Sequence, residues 1–291
     1  MKKKIYYVFD DAAKVMEMIE KGQLANYYVY GAWHLQKSGD AEIIDYKDSK
    51  KIKDSQVIIN VPKYAPEFKI RGNRDILINL NSNHILERNP SWLMKFLLRK
   101  IYNSCDVIMC LAESQLPALK KIGIKKSKCV VNPLFVDTRD IELANARKFG
   151  VYHPFYLSSG FDVGRTFSNF YSFNTTIPIV TFGRHNAVPY IRYCDFLVKC
   201  CGVVLEVHNA GGSSDLSGST TVFEALCAKK PVFINPQPWL KDFPSKNIYI
   251  YNSQEELERL LNSGISWSEE KADFTFGQFL TKLKKVLKIN F

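Results

Sequence analysis

Residues 217–236, SGSTTVFEALCAKKPVFINP, set out a loop, a helix and a strand in quick succession. Ser217, Gly218, Ser219, Thr220 and Thr221 are a polar run of small side chains leading into a helix-like segment around Glu224 and Ala225. Lys229-Lys230-Pro231 closes that segment, Val232, Phe233 and Ile234 read as a buried strand, and Asn235-Pro236 turns the chain. The first amides of such a helix have no partner within it, so its start attracts anions.

The same alternation of helix-like and strand-like stretches runs from end to end of the 291-residue chain. With 46% hydrophobic content the chain can bury two ordinary cores, and the pattern predicts an α/β protein of two domains. No apolar run reaches bilayer-crossing length, and MKKKIYYVFD passes from a basic start directly into a strand. A soluble, cytoplasmic protein is expected, with at most peripheral contact at the inner membrane face. Seven cysteines without a C-x-x-C pair read as reduced core thiols, and no metal site is expected.

The net charge of +11 is uneven: residues 1 to 140 hold 24 Lys+Arg against 16 Asp+Glu, which is most of the excess. A basic first half suits a phosphate-rich or acidic partner, whether nucleic acid or an anionic membrane surface.

KKIYYVFD reads as a first strand, DAAKVMEMIEKG as an amphipathic helix stopped by Gly22, and YYVYGAWHLQKSGDAEIIDY as a strand and a helix followed by a strand. DSQVIINVP, RDILINLNSNH and CDVIMCLAES are further short strands, QLPALKKIGI a helix and KCVVNPLFVDT a strand running into a turn. IELANARKFGVYHP is read as the passage into the second half, with a boundary near residue 150. Beyond it FYLSSGF, IPIVTFG, GVVLEVH and NIYIY are strands and PYIRYCDFLVKC a helix. SQEELERLLNSG is a helix whose Ser253 and Glu256 fit a capping box.

Three stretches carry a resemblance to a known family: CDVIMCLAESQLPALKKIGIKKSKCVVNPLFVDT, FYLSSGFDVGRTFSNF and SGSTTVFEALCAKKPVFI. They resemble GT-B fold glycosyltransferases, especially the large retaining group that uses nucleotide sugars. The resemblance implies two Rossmann-like domains facing each other across a cleft: an acceptor-side domain over residues 1–150, a donor-binding domain over 151–272, and a C-terminal helix, 273–291, packing back on the first. It implies a nucleoside diphosphate sugar as donor, UDP-linked, with no resident cofactor.

In that scheme Gly160 and Gly164 belong to the loop opening the donor domain, and Arg165 faces the phosphates. Ser217, Gly218, Ser219 and Thr220 give open amides to the diphosphate, and Glu224 accepts hydrogen bonds from the ribose hydroxyls. Backbone amides and one arginine suit a leaving diphosphate without a metal. Where retaining relatives usually place a second glutamate stands Leu216, with Asp215 next to it; the lysine expected after the loop arginine is missing from TFSNF, and FDDAAK replaces the first domain's glycine-rich turn. His84, after a strand end in NLNSNHILE, is the first half's candidate for chemistry, and an inverting enzyme would use it or Asp10-Asp11 as general base.

The expected reaction moves a sugar to a lipid-linked or polysaccharide glycan held on the basic half. A hydroxymethylated base in DNA, a nucleotide-sugar epimerase and a non-catalytic nucleotide-binding module are the alternatives. FGQFLTKLKKVLKINF closes the chain with Phe276, Phe279, Leu280, Leu283, Val286 and Leu287 at helical spacing, read as a packed face with basic residues outside, or as a membrane-surface helix.

Overall fold

A computed structural model of the protein describes residues 5–22, 27–52, 55–59, 62–73, 76–79, 91–132, 135–136, 138–147, 153–158, 173–181, 189–205, 219–265, 267–270 and 274–287. The chain forms two compact units. The first comprises Met1–Lys21, Ala25–Leu134 and Phe276–Phe291, and the second Gly22–Leu24 and Phe135–Thr275.

The first unit is built on six parallel strands: β1 (Ile5–Phe9), β2 (Ala41–Asp45), β3 (Gln56–Ile59), β4 (Ile76–Asn79), β5 (Val107–Cys110) and β6 (Cys129–Val131). They lie in the order β2-β1-β3-β4-β5-β6. Central strands of a parallel sheet are covered on both faces and read as continuous apolar runs. Tyr7, Val8, Val57, Ile58, Ile76, Leu77, Ile78 and Ile108 are accordingly buried, while β2 at the edge is half-exposed along most of its length.

Helices α1 (Ala12–Glu20), α2 (Tyr27–Lys37), α3 (Ala65–Ile70), α4 (Trp92–Asn103) and α5 (Leu116–Lys121) connect these strands. Asp11 caps α1 by accepting from the Lys14 amide at 2.9 Å. YYVY, expected as a strand, is instead the first turn of α2. The sheet already takes β2 beside β1, so tertiary context overrides the β propensity of tyrosine and valine.

The second unit holds β7 (Phe155–Ser158), β8 (Ile179–Thr181), β9 (Gly202–Leu205), β10 (Val232–Ile234) and β11 (Ile248–Ile250), all parallel, in the order β11-β10-β9-β7-β8. Its helices are α6 (Arg139–Ala146), α7 (Tyr190–Lys199), α8 (Thr220–Cys227) and α9 (Gln254–Asn262). Phe155, Leu157, Val204, Phe233, Tyr251, Leu257 and Leu261 form one core cluster on this sheet. The passage between units lies at Leu134–Phe135, earlier than residue 150, and the segment read as a linker is α6, which packs on α7. Buried Ile141 and Ala144 hold it there, and Arg147 pairs with Asp195 at 2.6 Å.

The chain ends in the first unit as α10 (Phe276–Leu287). Phe279 and Leu283 are buried, the Asn132 side-chain amide donates to the Phe279 carbonyl at 3.3 Å, and the His34 and Phe276 rings meet at 4.4 Å. Among the described residues no helix is long and apolar enough to cross a membrane. All seven cysteines are free thiols, with Cys105, Cys110, Cys194 and Cys200 buried.

Both sheets wind alike. The first strand of each lies between the second and the third, so the winding reverses at β1/β3 and again at β7/β9. Such reversals open a crevice beyond the carboxyl ends of the neighbouring strands, where α/β proteins bind ligands.

Candidate functional site

At the second unit's reversal, β7 and β9 pair with Ser158 opposite Leu205, and β8 lies on the other side of β7 with Leu157 opposite Thr181. The chain therefore leaves toward Gly160, Gly164 and Arg165, and toward Asp215, Ser217 and Gly218, from adjacent strand ends. Those six residues, and His84 in the first unit, lie outside the described residues. Ser219, Thr220 and Glu224 lie within them, where the chain returns as α8.

Helix α8 begins at Ser219, an extended N-cap residue that is almost fully buried and whose side chain makes no capping hydrogen bond. Its carbonyl accepts from the Val222 amide at 3.1 Å. The first amides of a helix have no partner within it, and those of Thr220 and Thr221 are of this kind. The rest of α8 is apolar on every face: Val222, Phe223, Ala225 and Leu226 are buried, and Phe223 packs its ring on Phe243 and Phe274 at 4.9 and 4.5 Å. A helix that is apolar all round must be a core helix. It is held rigidly, as a ligand-positioning element needs to be.

The far end of α8 is fixed as firmly. Lys229 adopts a left-handed conformation, φ 58°, its amide bonds the Leu226 carbonyl at 3.1 Å, and the Lys230 amide bonds that of Ala225 at 2.9 Å. This pair of bonds is a Schellman ending, and Pro231 then directs the chain into β10.

Glu224 lies one turn into α8 and is the exception in its apolar surface. Its side chain is 5% exposed, and the hydroxyl of Tyr190, the first residue of α7, donates to Oε1 at 3.0 Å. Burial pushes the carboxyl up to about 7, against an opposing pull from the hydroxyls of Tyr190 and Tyr193. The same burial, reinforced by the carboxylate, holds both tyrosines well above their ordinary range, so they stay protonated donors. A carboxyl near its midpoint at neutral pH is present in two forms, the ionised one accepting only and the protonated one also able to donate. Nothing in the sequence marks Tyr190 and Tyr193 as partners of Glu224. They stand 34 and 31 residues before Glu224 on a different helix, and only the fold brings them to it.

In the first unit, the carboxyl end of β1 carries Asp10, which accepts from the Tyr64 hydroxyl, and Asp11, which is engaged as the α1 cap. The Tyr64 ring stacks on Tyr46 at 3.5 Å between centroids. Asp10 and Asp11 thus have structural partners at the place where the sequence reading put a general base.

No family model matches the chain, and no curated protein matches it by sequence. Solved structures do match. Sucrose-phosphate synthase from Thermosynechococcus elongatus superposes with a TM-score of 0.62 at 10% identity, covering 98% of this chain and 95% of that one. HepE from Anabaena in complex with UDP-glucose gives 0.54 at 11% identity over 98% of both chains. A glycosyltransferase from Rickettsia africae gives 0.51 at 12% identity, covering 99% of this chain and all of that one. Coverage of nearly every residue on both sides means that the likeness includes both sheets and their connections, and at such identities it is a likeness of fold. The chain therefore has the two-domain α/β fold of the GT-B glycosyltransferases.

Proposed function

We propose that the protein is a glycosyltransferase that takes a sugar from a nucleoside diphosphate, UDP by preference, and binds that donor at the β7/β9 reversal and the start of α8. The observation that carries this reading is the Glu224 carboxyl, buried one turn into a rigid helix and oriented by Tyr190. HepE, which shares the fold, binds UDP-glucose. In this chain the α8 amides and Arg165 would receive the diphosphate, Glu224 the ribose hydroxyls, and Asp215 would stand beside the sugar. Developing charge on the leaving diphosphate is met by dipoles already in place, without a metal ion.

The basic first half supports a phosphate-rich acceptor, with a lipid-linked or polysaccharide glycan as the leading class and His84 placed for acceptor chemistry. The same charge supports a hydroxymethylated base in DNA as the second reading, and a steep loss of activity with salt on duplex DNA would favour it.

Thermal-shift profiling with UDP, GDP, ADP and CMP, and with their sugars, tests the donor site. UDP and a UDP-sugar should raise the melting temperature of the wild-type protein, and Glu224→Gln should lose most of that rise. No response to any nucleotide, or an undiminished response in Glu224→Gln, would sink the assignment. Donor turnover without acceptor would point to an epimerase, and binding without turnover to a non-catalytic module.

A further inference from the structure

We propose that the outward face of α4, together with the lysine-rich turn beside it, seats the protein on an anionic lipid surface. Helix α4 buries Leu98 and Tyr102 against the first unit. On the opposite side Trp92, Leu93, Phe96 and Leu97 follow the i, i+1, i+4, i+5 spacing of a single helical face, and all are exposed, Trp92 at 79% and Phe96 at 59%. A helix of a soluble domain keeps its polar residues on that side. Four large apolar side chains side by side there form a contiguous patch of the kind that marks an interaction surface.

The charge around the patch is predominantly basic. Helix α4 carries Lys95, Arg99 and Lys100 and no acidic residue. The Arg99 side chain lies over Gly123, close enough that a Cβ there would sit 3.2 Å from its Nε. Lys128 donates to the carbonyls of Asn103 and Cys105 at 2.9 and 2.8 Å, so the turn after α5 is tied to the end of α4. That turn and the helix before it present Lys120, Lys121, Lys125 and Lys126 to solvent. Lys69, paired with Asp106 at 3.0 Å, lines a shallow depression with Phe96, Arg99 and Lys100, and the neighbouring Ile70 is exposed.

Apolar side chains of this size enter the boundary between headgroups and acyl chains, and a rim of lysine and arginine gains from an anionic leaflet. A second copy of the chain is the poorer occupant, because stacking two such faces would bring Arg99 and Lys100 against their own kind. Vesicle binding reads this face independently of nucleotide binding or sugar transfer.

The test is co-sedimentation of the full chain with phosphatidylcholine vesicles, with and without phosphatidylglycerol. The wild-type protein should sediment with the anionic vesicles and not with the neutral ones. Leu93→Ser combined with Phe96→Ser should weaken that binding about tenfold or more while leaving the melting temperature unchanged, because both side chains are exposed. Tryptophan emission should shift to the blue on vesicle addition, and Trp92→Phe should remove most of the shift. Equal binding to neutral vesicles, no binding to either, or a double variant that binds like the wild type would overturn the proposal. So would a dimer in sedimentation equilibrium that the double variant dissociates.

Discussion

The hydroxyl of Tyr190 donates to Oε1 of Glu224 across 3.0 Å inside the second unit, joining the first turn of α7 to the middle of α8. A carboxyl so deeply buried must keep its partner or lose its charge.

That pair makes stability depend on pH. The Glu224 carboxyl moves from 4.5 to about 7 on folding, so between those values the folded chain holds a proton that the unfolded chain has released. The stabilisation is full below 4.5 and is lost as pH rises through 7, on the order of 3 kcal/mol across the window. Urea unfolding at pH 5 and pH 8 should show the wild-type protein losing more stability than Glu224→Gln over this rise. Parallel losses would refute the assignment.

Tyr190→Phe removes the donor and keeps the ring. The carboxylate then loses its first stabilising hydrogen bond, which should raise the Glu224 midpoint further and cost about 1–3 kcal/mol at pH 8, with a smaller cost at pH 5. Carboxyl infrared absorption as a function of pH would follow the midpoint directly.

Gly202 opens β9 where a side chain has no room. A Cβ there would lie 3.0 Å from the Phe233 ring and 3.1 Å from that of Phe155, which meet edge to face at 5.6 Å. Gly202→Ala should destabilise the second unit by about 1–3 kcal/mol through overpacking, read as a lower urea midpoint at unchanged slope.

Lys229 is the reverse case, because its left-handed backbone is one that glycine adopts freely. Lys229→Gly should be neutral or stabilise by up to about 1 kcal/mol in thermal unfolding. A clear loss would mean that the Lys229 side chain has a role beyond ending α8.

Ser253 accepts from the Glu256 amide at 3.2 Å and caps α9. Ser253→Ala should cost about 1 kcal/mol in urea unfolding. The acidic partner reaches back to the Asn252 amide at 2.9 Å rather than to that of Ser253, so this capping box spans one residue more than the sequence pattern implies.

The strands and most helices were legible because their signals are local. Apolar runs such as VIMC and GVVL end in polar residues, and PYIRYCDFLVKC carries helical spacing that α7 fulfils. Helix α4 was not legible as a core-facing element, since WLMKFLLRKIYN has apolar residues on two sides and no single inward stripe. The unit boundary was misplaced for a related reason: the polar RDIELANARK looks like a linker, yet its two buried residues, Ile141 and Ala144, are enough to hold α6 on α7. Glu224 stands in a motif that can be read from the sequence, whereas its partners Tyr190 and Tyr193 carry no sequence mark and are set only by how α7 lies on the sheet.

The return of α10 to the first unit has a consequence for biosynthesis. The amino-terminal sheet is made first but lacks Phe279 and Leu283 until α10 has been synthesised, whereas the strands β7 to β11 are all made before then. Translation thus completes the parts of the later sheet before those of the earlier one, and the nascent amino-terminal half must wait with one apolar flank uncovered.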